Sequence, residues 1–216
     1  MPASSPPLNS VRIPAVKPEL YLPKGIAIVG SAQKALEKKY GTEIDSHECV
    51  IRFNRSPTKN FESHVGSKTT LRVCNDQVFR SKPHTRFAVD VNFMKGVHHS
   101  KILVQARGWR LWRIRLFAPL WVSSSNSIYT VSTAEAETIV SELTGLSNLT
   151  PTVGFTMMCL IVKTGIIPQL YGWSLDESMG HYFEKHDGKF SSFHDNKKER
   201  MIWKTWQEQG KINVVE

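Results

Sequence analysis

The residues in this chain whose types and setting could do chemistry are a histidine near the carboxyl end, one helix start and a set of glycine corners. His194 stands in the run Ser192-Phe193-His194-Asp195, directly ahead of a helical stretch over residues 196–207 that is rich in Lys, Glu and Trp. Ser192 and Asp195 have the spacing of a capping box, which predicts His194 in the first helical turn. The positive end of a helix dipole disfavours imidazolium, so a histidine there stays neutral and able to accept a proton near pH 7. A lone histidine in this position can equally be a capping or packing residue. His181, His186 and His194 are spaced by five and eight residues, which fits no standard zinc pattern.

The helix start is Thr150-Pro151-Thr152-Val153-Gly154-Phe155. Thr150 is the expected cap, Pro151 the first helical residue and Gly165 the terminator. Residues 155–162 are almost wholly apolar, so this helix is expected to lie buried against a sheet. Its first turn then turns unpaired N–H groups toward the ligand edge, which is the makings of a phosphate site. Thr150 and water are the alternative partners for those groups.

The glycine corners need strands to place them. Residues 26–29 (IAIV) read as a buried strand ending at Gly30-Ser31, followed by a helix over 33–39 stopped by Gly41. Residues 49–53 form the next strand and deliver Asn54 at its far end. This is a right-handed crossover unit of a parallel sheet, and ligands of such sheets bind beyond the carboxyl ends of the strands. Gly30, Ser31 and Asn54 fall there. A strand over 166–171 brings Gly172-Trp173 to the same edge. Asp45 and His47, in the connection, read as turn caps.

Further strands are expected at 69–73, 87–91 and 102–104, and a helix at 133–143 with Ser132 or Thr133 as cap and Gly145 as stop. His98 and His99 read as surface. The segment 108–121 interleaves arginines with Trp109, Trp112 and Phe117, and its apolar residues favour a packed element over a nucleic-acid grip. Residues 1–20 are rich in proline and serine and are expected to form a flexible or surface-draped tail, leaving 21–216 as one domain. The fold class expected is α/β, a single Rossmann-like domain with a mostly parallel sheet flanked by helices.

The 28 basic and 19 acidic residues give a net charge of +9, which suits polyanions, nucleotides or acidic membranes. Nucleic acid is the rival partner, but no zinc-finger spacing, basic helix or RNA-binding signature is present. Cys49, Cys74 and Cys159 form no metal motif and read as buried thiols. No apolar run approaches membrane-spanning length and no signal-peptide core is present, so the chain as given reads as soluble and cytosolic. Asn54-Arg55-Ser56 is a glycosylation sequon, a reading that sits poorly with a ligand contact at Asn54 in a secretory lumen.

The segments AIVGS, IDSHECVIRFN and VGSKTT closely resemble the large sialyl motif of glycosyltransferase family 29, the eukaryotic-type sialyltransferases. PTVG followed by LYGW is similar to the small motif, His181-Tyr182 to the third, and His194 with Glu199 to the very small motif. The motifs occur in the family's order over roughly residues 25–75 and 150–200. The resemblance implies a variant GT-A-type fold and an inverting, metal-independent transfer of sialic acid, or a related acidic sugar, from a CMP-sugar to a glycan hydroxyl. It implies no cofactor besides the donor. His194 would be the base and His181 and Tyr182 would hydrogen-bond the phosphate. Gly30, Ser31, Asn54 and Gly172 would meet the CMP half, and Thr152, Val153 and Gly154 would supply backbone donors.

Three features depart from the family pattern. Ser31 replaces an asparagine, Val153 replaces a hydroxyl residue, and Ile26 and Gly165 stand where the family carries a disulfide. A catalytically altered or inactive CMP-binding relative is therefore an alternative, as is a basic nucleic-acid-binding protein. The family's animal members are anchored in the Golgi, so a Golgi lumen location is the alternative should the chain be a fragment.

Overall fold

The structure, a computed structural model, describes residues 9–79, 101–108, 110–111, 114, 128–175, 180–183 and 195–216. A two-stranded antiparallel sheet, β1 (Ser10–Ile13) and β2 (Leu20–Pro23), leads into a sheet of seven strands. These are β3 (Ile26–Val29), β4 (Cys49–Phe53), β5 (Leu71–Asn75), β6 (Lys101–Ala106), β7 (Ile128–Ser132), β8 (Gln169–Tyr171) and β9 (Asn213–Val215). They lie in the order β7-β6-β5-β4-β3-β8-β9 and every neighbouring pair is parallel.

All residues of β3 and β4 are buried, as they must be when helices cover both faces of a parallel sheet. The helices described over their whole length are α1 (Gly41–Ser46), α2 (Glu62–Val65), α3 (Thr133–Thr144), α4 (Val153–Val162) and α5 (Asn196–Glu208). Ile139 and Val140 of α3, most of α4 and Trp206 of α5 pack with Ile28, Ile51 and Val73 on one face. Ile44 of α1 and Val65 of α2 pack with Ala27, Val29 and Val50 on the other. The result is the expected α/β domain with a parallel sheet between helical layers.

From β3 to β7 the chain steps one way across the sheet, and β8 and β9 then pair on the opposite side of β3. At such a reversal, open sheets of this kind bind ligands in the crevice beyond the carboxyl ends of the strands, here β3 and β8. Gly30 and Gly172 stand at those two ends.

Several elements differ from the sequence reading. The helix expected over 33–39 is a single 3-10 turn, Gln33–Leu36, and Gly41 begins α1 instead of ending a helix. A Cβ at Gly41 would lie 2.0 Å from the Glu62 carbonyl oxygen, so the glycine serves the contact between α1 and α2. The expected tail is structured from residue 10 onward: Ile13, Val16 and Leu20 are buried in the core. Lys17 exchanges both backbone bonds with Thr130, at 2.9 and 2.7 Å, and so covers part of the edge strand β7.

Strands β7 and β9 had no counterpart in the sequence reading. Helix α3 is capped by Ser132 and stopped by Gly145 as anticipated; Ser132 and Glu135 form a capping box and Gly145 is left-handed. Leu111 packs against Ile102 and Val104, in keeping with a packed element there. The expected strand at 87–91, His98, His99 and most of 108–121 lie outside the described residues.

Candidate functional site

Gly30 and Gly172 form the floor of the crevice because nothing larger fits. The Gly30 amide donates to the Tyr171 carbonyl at 2.8 Å. A Cβ at Gly30 would lie 2.5 Å from the Gly172 carbonyl oxygen. Gly172 has φ +66, and a Cβ there would lie 2.5 Å from the Cβ of Ala35. The conformation and the close approach both require glycine.

Trp173 follows and joins the surrounding elements. Its indole N–H donates to the Ile28 carbonyl at 3.2 Å, and its ring meets Phe53 and Trp203 edge-on with centroids 6.0 and 4.8 Å apart. Cβ atoms at Gly30 and at Gly154 would each come within 3.2 Å of this indole. The carboxyl ends of β3 and β4, the glycine after β8 and the start of α4 therefore ring one side chain. The tryptophan after a strand-end glycine was legible in the sequence, but its role as the hub was not.

Asn54 leaves β4 with φ 44, a left-handed conformation that asparagine tolerates better than most residues. Its backbone amide donates to Val73 at 2.9 Å, and its side-chain oxygen accepts from the Asn75 amide at 3.1 Å. Among the described residues its side-chain NH2 makes no hydrogen bond to the protein.

At the start of α4 the cap is Thr152, not Thr150. Its hydroxyl oxygen accepts from the Phe155 amide at 3.1 Å, so Pro151 lies outside the helix. A second partner was not anticipated. Glu199, wholly buried on α5, accepts from the Thr152 amide and from the Thr152 hydroxyl, both at 2.7 Å. One end of the expected phosphate site is thus filled by a carboxylate, and Val153 and Gly154 keep the remaining first-turn amides.

Residues 180–183 form a strap across the 3-10 turn. Gln33 donates to the Gly180 carbonyl at 2.9 Å and Tyr182 donates to the Ser31 carbonyl at 3.0 Å, with an antiparallel bridge between Ala32 and His181. Extended backbone sends alternate side chains to opposite sides. His181 is accordingly exposed, stacked on Phe183, while Tyr182 is buried against Phe61. The Tyr182 hydroxyl donates to the Pro57 carbonyl, which ties the strap to the turn after β4. Burial raises the Tyr182 pKa above the ordinary phenol value, against the pull of Arg52 and Arg72.

Helix α5 begins after Asp195, whose side chain caps it by accepting from the Lys198 amide at 3.1 Å. His194, expected in the first turn of this helix, lies outside the described residues together with Ser192. Gly30, Ser31, Asn54, Gly154, Gly172 and His181 come to one edge of the sheet. Thr152 reaches it with its amide engaged, and Val153 is buried beside it. Among the described residues there is no group of three His, Cys, Asp or Glu side chains placed to hold a metal ion. No helix among them is long and apolar enough to cross a membrane.

The family model described as "Glycosyltransferase family 29 (sialyltransferase)" matches residues 23–211. The "Beta-galactoside alpha-2,6-sialyltransferase 2" of Xenopus tropicalis is 50% identical over 58 residues, which cover 27% of this chain and 11% of that protein. The human protein of the same name is 43% identical over 75 residues, 33% of this chain and 14% of its own length. The crystal structure of a mammalian sialyltransferase in complex with Gal-beta-1-3GalNAc-ortho-nitrophenol superposes with a TM-score of 0.65 at 22% identity, over 88% of this chain and 68% of that one. The fold is shared, and with the match running nearly the whole length, this chain belongs to glycosyltransferase family 29.

Proposed function

We propose that residues 21–216 form a catalytic domain that transfers sialic acid, or a related acidic sugar, from a CMP-sugar to a hydroxyl of an acceptor glycan, with inversion and without a metal. The observation that carries this reading is the meeting of Gly30 with Gly172, and of Gly30 and Gly154 with Trp173, at the switch point of the sheet. A flat, close-approach floor there suits a nucleotide, and Asn54 adds an unpaired amide donor beside it.

The chemistry asks little of the protein beyond placement. The acceptor oxygen attacks the anomeric carbon as the bond to the CMP phosphate oxygen breaks, and that bond pair leaves with CMP. His194 takes the acceptor proton as general base, and His181 hydrogen-bonds the departing phosphate. The free amides of Val153 and Gly154 stabilise the same charge. Tyr182 holds the strap that presents His181. The β-galactosides in the names of the relatives are the acceptors to try first.

Transfer from CMP-sialic acid tests the assignment. The His194→Ala variant should lose about 10²-fold or more in rate, since a positioned general base is worth that much. Activity within a few-fold of the parent would contradict the role given to His194.

A further inference from the structure

Strands β4 and β5 carry Arg52 and Arg72 at directly paired positions, on the sheet face that α1 and α2 cover. Only 1% of Arg52 and 6% of Arg72 is exposed. Their bonds run to uncharged oxygens. Arg52 donates to the Lys68 carbonyl at 3.0 Å, the Thr69 hydroxyl at 3.1 Å and the Val65 carbonyl at 2.6 Å. Arg72 donates to the Asn54 carbonyl at 3.1 Å and the Ser56 carbonyl at 3.0 Å. Among the described residues Nη1 of Arg52 and Nε of Arg72 have no hydrogen-bond partner.

Among the described residues no carboxylate forms a salt bridge with either guanidinium. Asp45 acts on Arg52 through space, but its oxygens are bound by the Ser67 amide and hydroxyl and the Lys68 amide. Two buried cations side by side, with Asp45 acting on one of them through space and without a direct ion pair, cost stability. Neutral amide side chains could hold the same carbonyls without that cost. A buried charge is poorly screened, so its field reaches through the protein to whatever lies above it. Arg72 grips the carbonyl of Asn54, the residue that leaves β4 at the ligand edge in the reading given above, and the buried phenol of Tyr182 lies within electrostatic reach of both guanidinia.

We propose that Arg52 and Arg72 form a cationic floor beneath the cleft that makes it select a phosphorylated nucleoside over the uncharged nucleoside, acting through their field without touching the ligand. This rests on the nucleotide-site reading. It also makes both arginines specificity-determining residues in place of mere loop anchors. A loop anchor would affect nucleoside and nucleotide alike, whereas a field acts only on the charge.

The test is calorimetric titration of CMP and of cytidine into the parent chain and into Arg72→Met, Arg72→Lys and Arg52→Met. The readout is the ratio of the two affinities. Arg72→Met should lower the CMP preference about tenfold, Arg52→Met should lower it several-fold, and Arg72→Lys should keep it within about threefold. An unchanged ratio in folded Arg72→Met overturns the proposal. Should the Met variants fail to fold, the parent decides the matter. Its CMP preference should change less than about threefold between roughly 0.05 and 0.5 M salt, and a steeper fall would assign the preference to surface cations. A parent that binds neither compound refutes the underlying site reading, a result distinct from binding both equally, which refutes only the floor.

Discussion

Glu199 shows how one side chain links two parts of the site. It is buried on α5 and accepts from both the amide and the hydroxyl of Thr152, the cap of α4. Glu199→Ala leaves the part-buried Thr152 amide and hydroxyl proton without their acceptor, at about 1–3 kcal/mol for each such group. Urea unfolding should show a loss of about 2–4 kcal/mol, with a smaller loss in Glu199→Gln, which keeps an acceptor. The sequence offered Glu199 as a motif member and gave no hint that its partner is a helix start 47 positions away in the chain. Tyr182 shows the same limit. Its type was legible, but the side to which it points depends on which residue of the strap meets Ser31. That register is a tertiary fact.

At the scale of elements, the crossover β3–Gly30–β4 was readable because buried apolar runs ending in a glycine say both strand and corner. The intervening helix was misplaced because Gly41 was read as a stop, whereas its use is the close approach of α1 to α2. Short strands such as β9, of three residues, carry too little pattern to be seen. Gly172 is where the corner is least forgiving. Gly172→Ala must place a side chain at φ +66 against Ala35, so it should cost about 2–4 kcal/mol of unfolding free energy and reduce nucleotide binding with it.

The loop after α2 offers a second check through Asp45. Burial pushes its pKa up, but the bonds from Ser67 and Lys68 and the charge of Arg52 outweigh this and hold it below the ordinary value. A depressed carboxyl contributes stability that is fully present above its unfolded pKa, near 4, and is lost as the pH falls through the folded value. Thermal unfolding followed below pH 4 should therefore be flatter in Asp45→Asn than in the parent.

For the whole molecule, the order β7-β6-β5-β4-β3-β8-β9 explains why motifs far apart in the chain meet. The residues around 30 and 54 and those around 154 and 172 approach one another only because β8 returns to pair with β3. The parallel α/β class was legible from alternating apolar runs and helical stretches. The switch point was not, since strand order leaves no local mark. The most direct measurement of the account is calorimetric titration of CMP in the presence of a chelator, with the parent chain and with Gly30→Val. Saturable one-to-one binding by the parent, lost in the variant, is the predicted result. No binding, binding that needs a divalent metal, or binding untouched by Gly30→Val would contradict a nucleotide cleft built on that glycine floor.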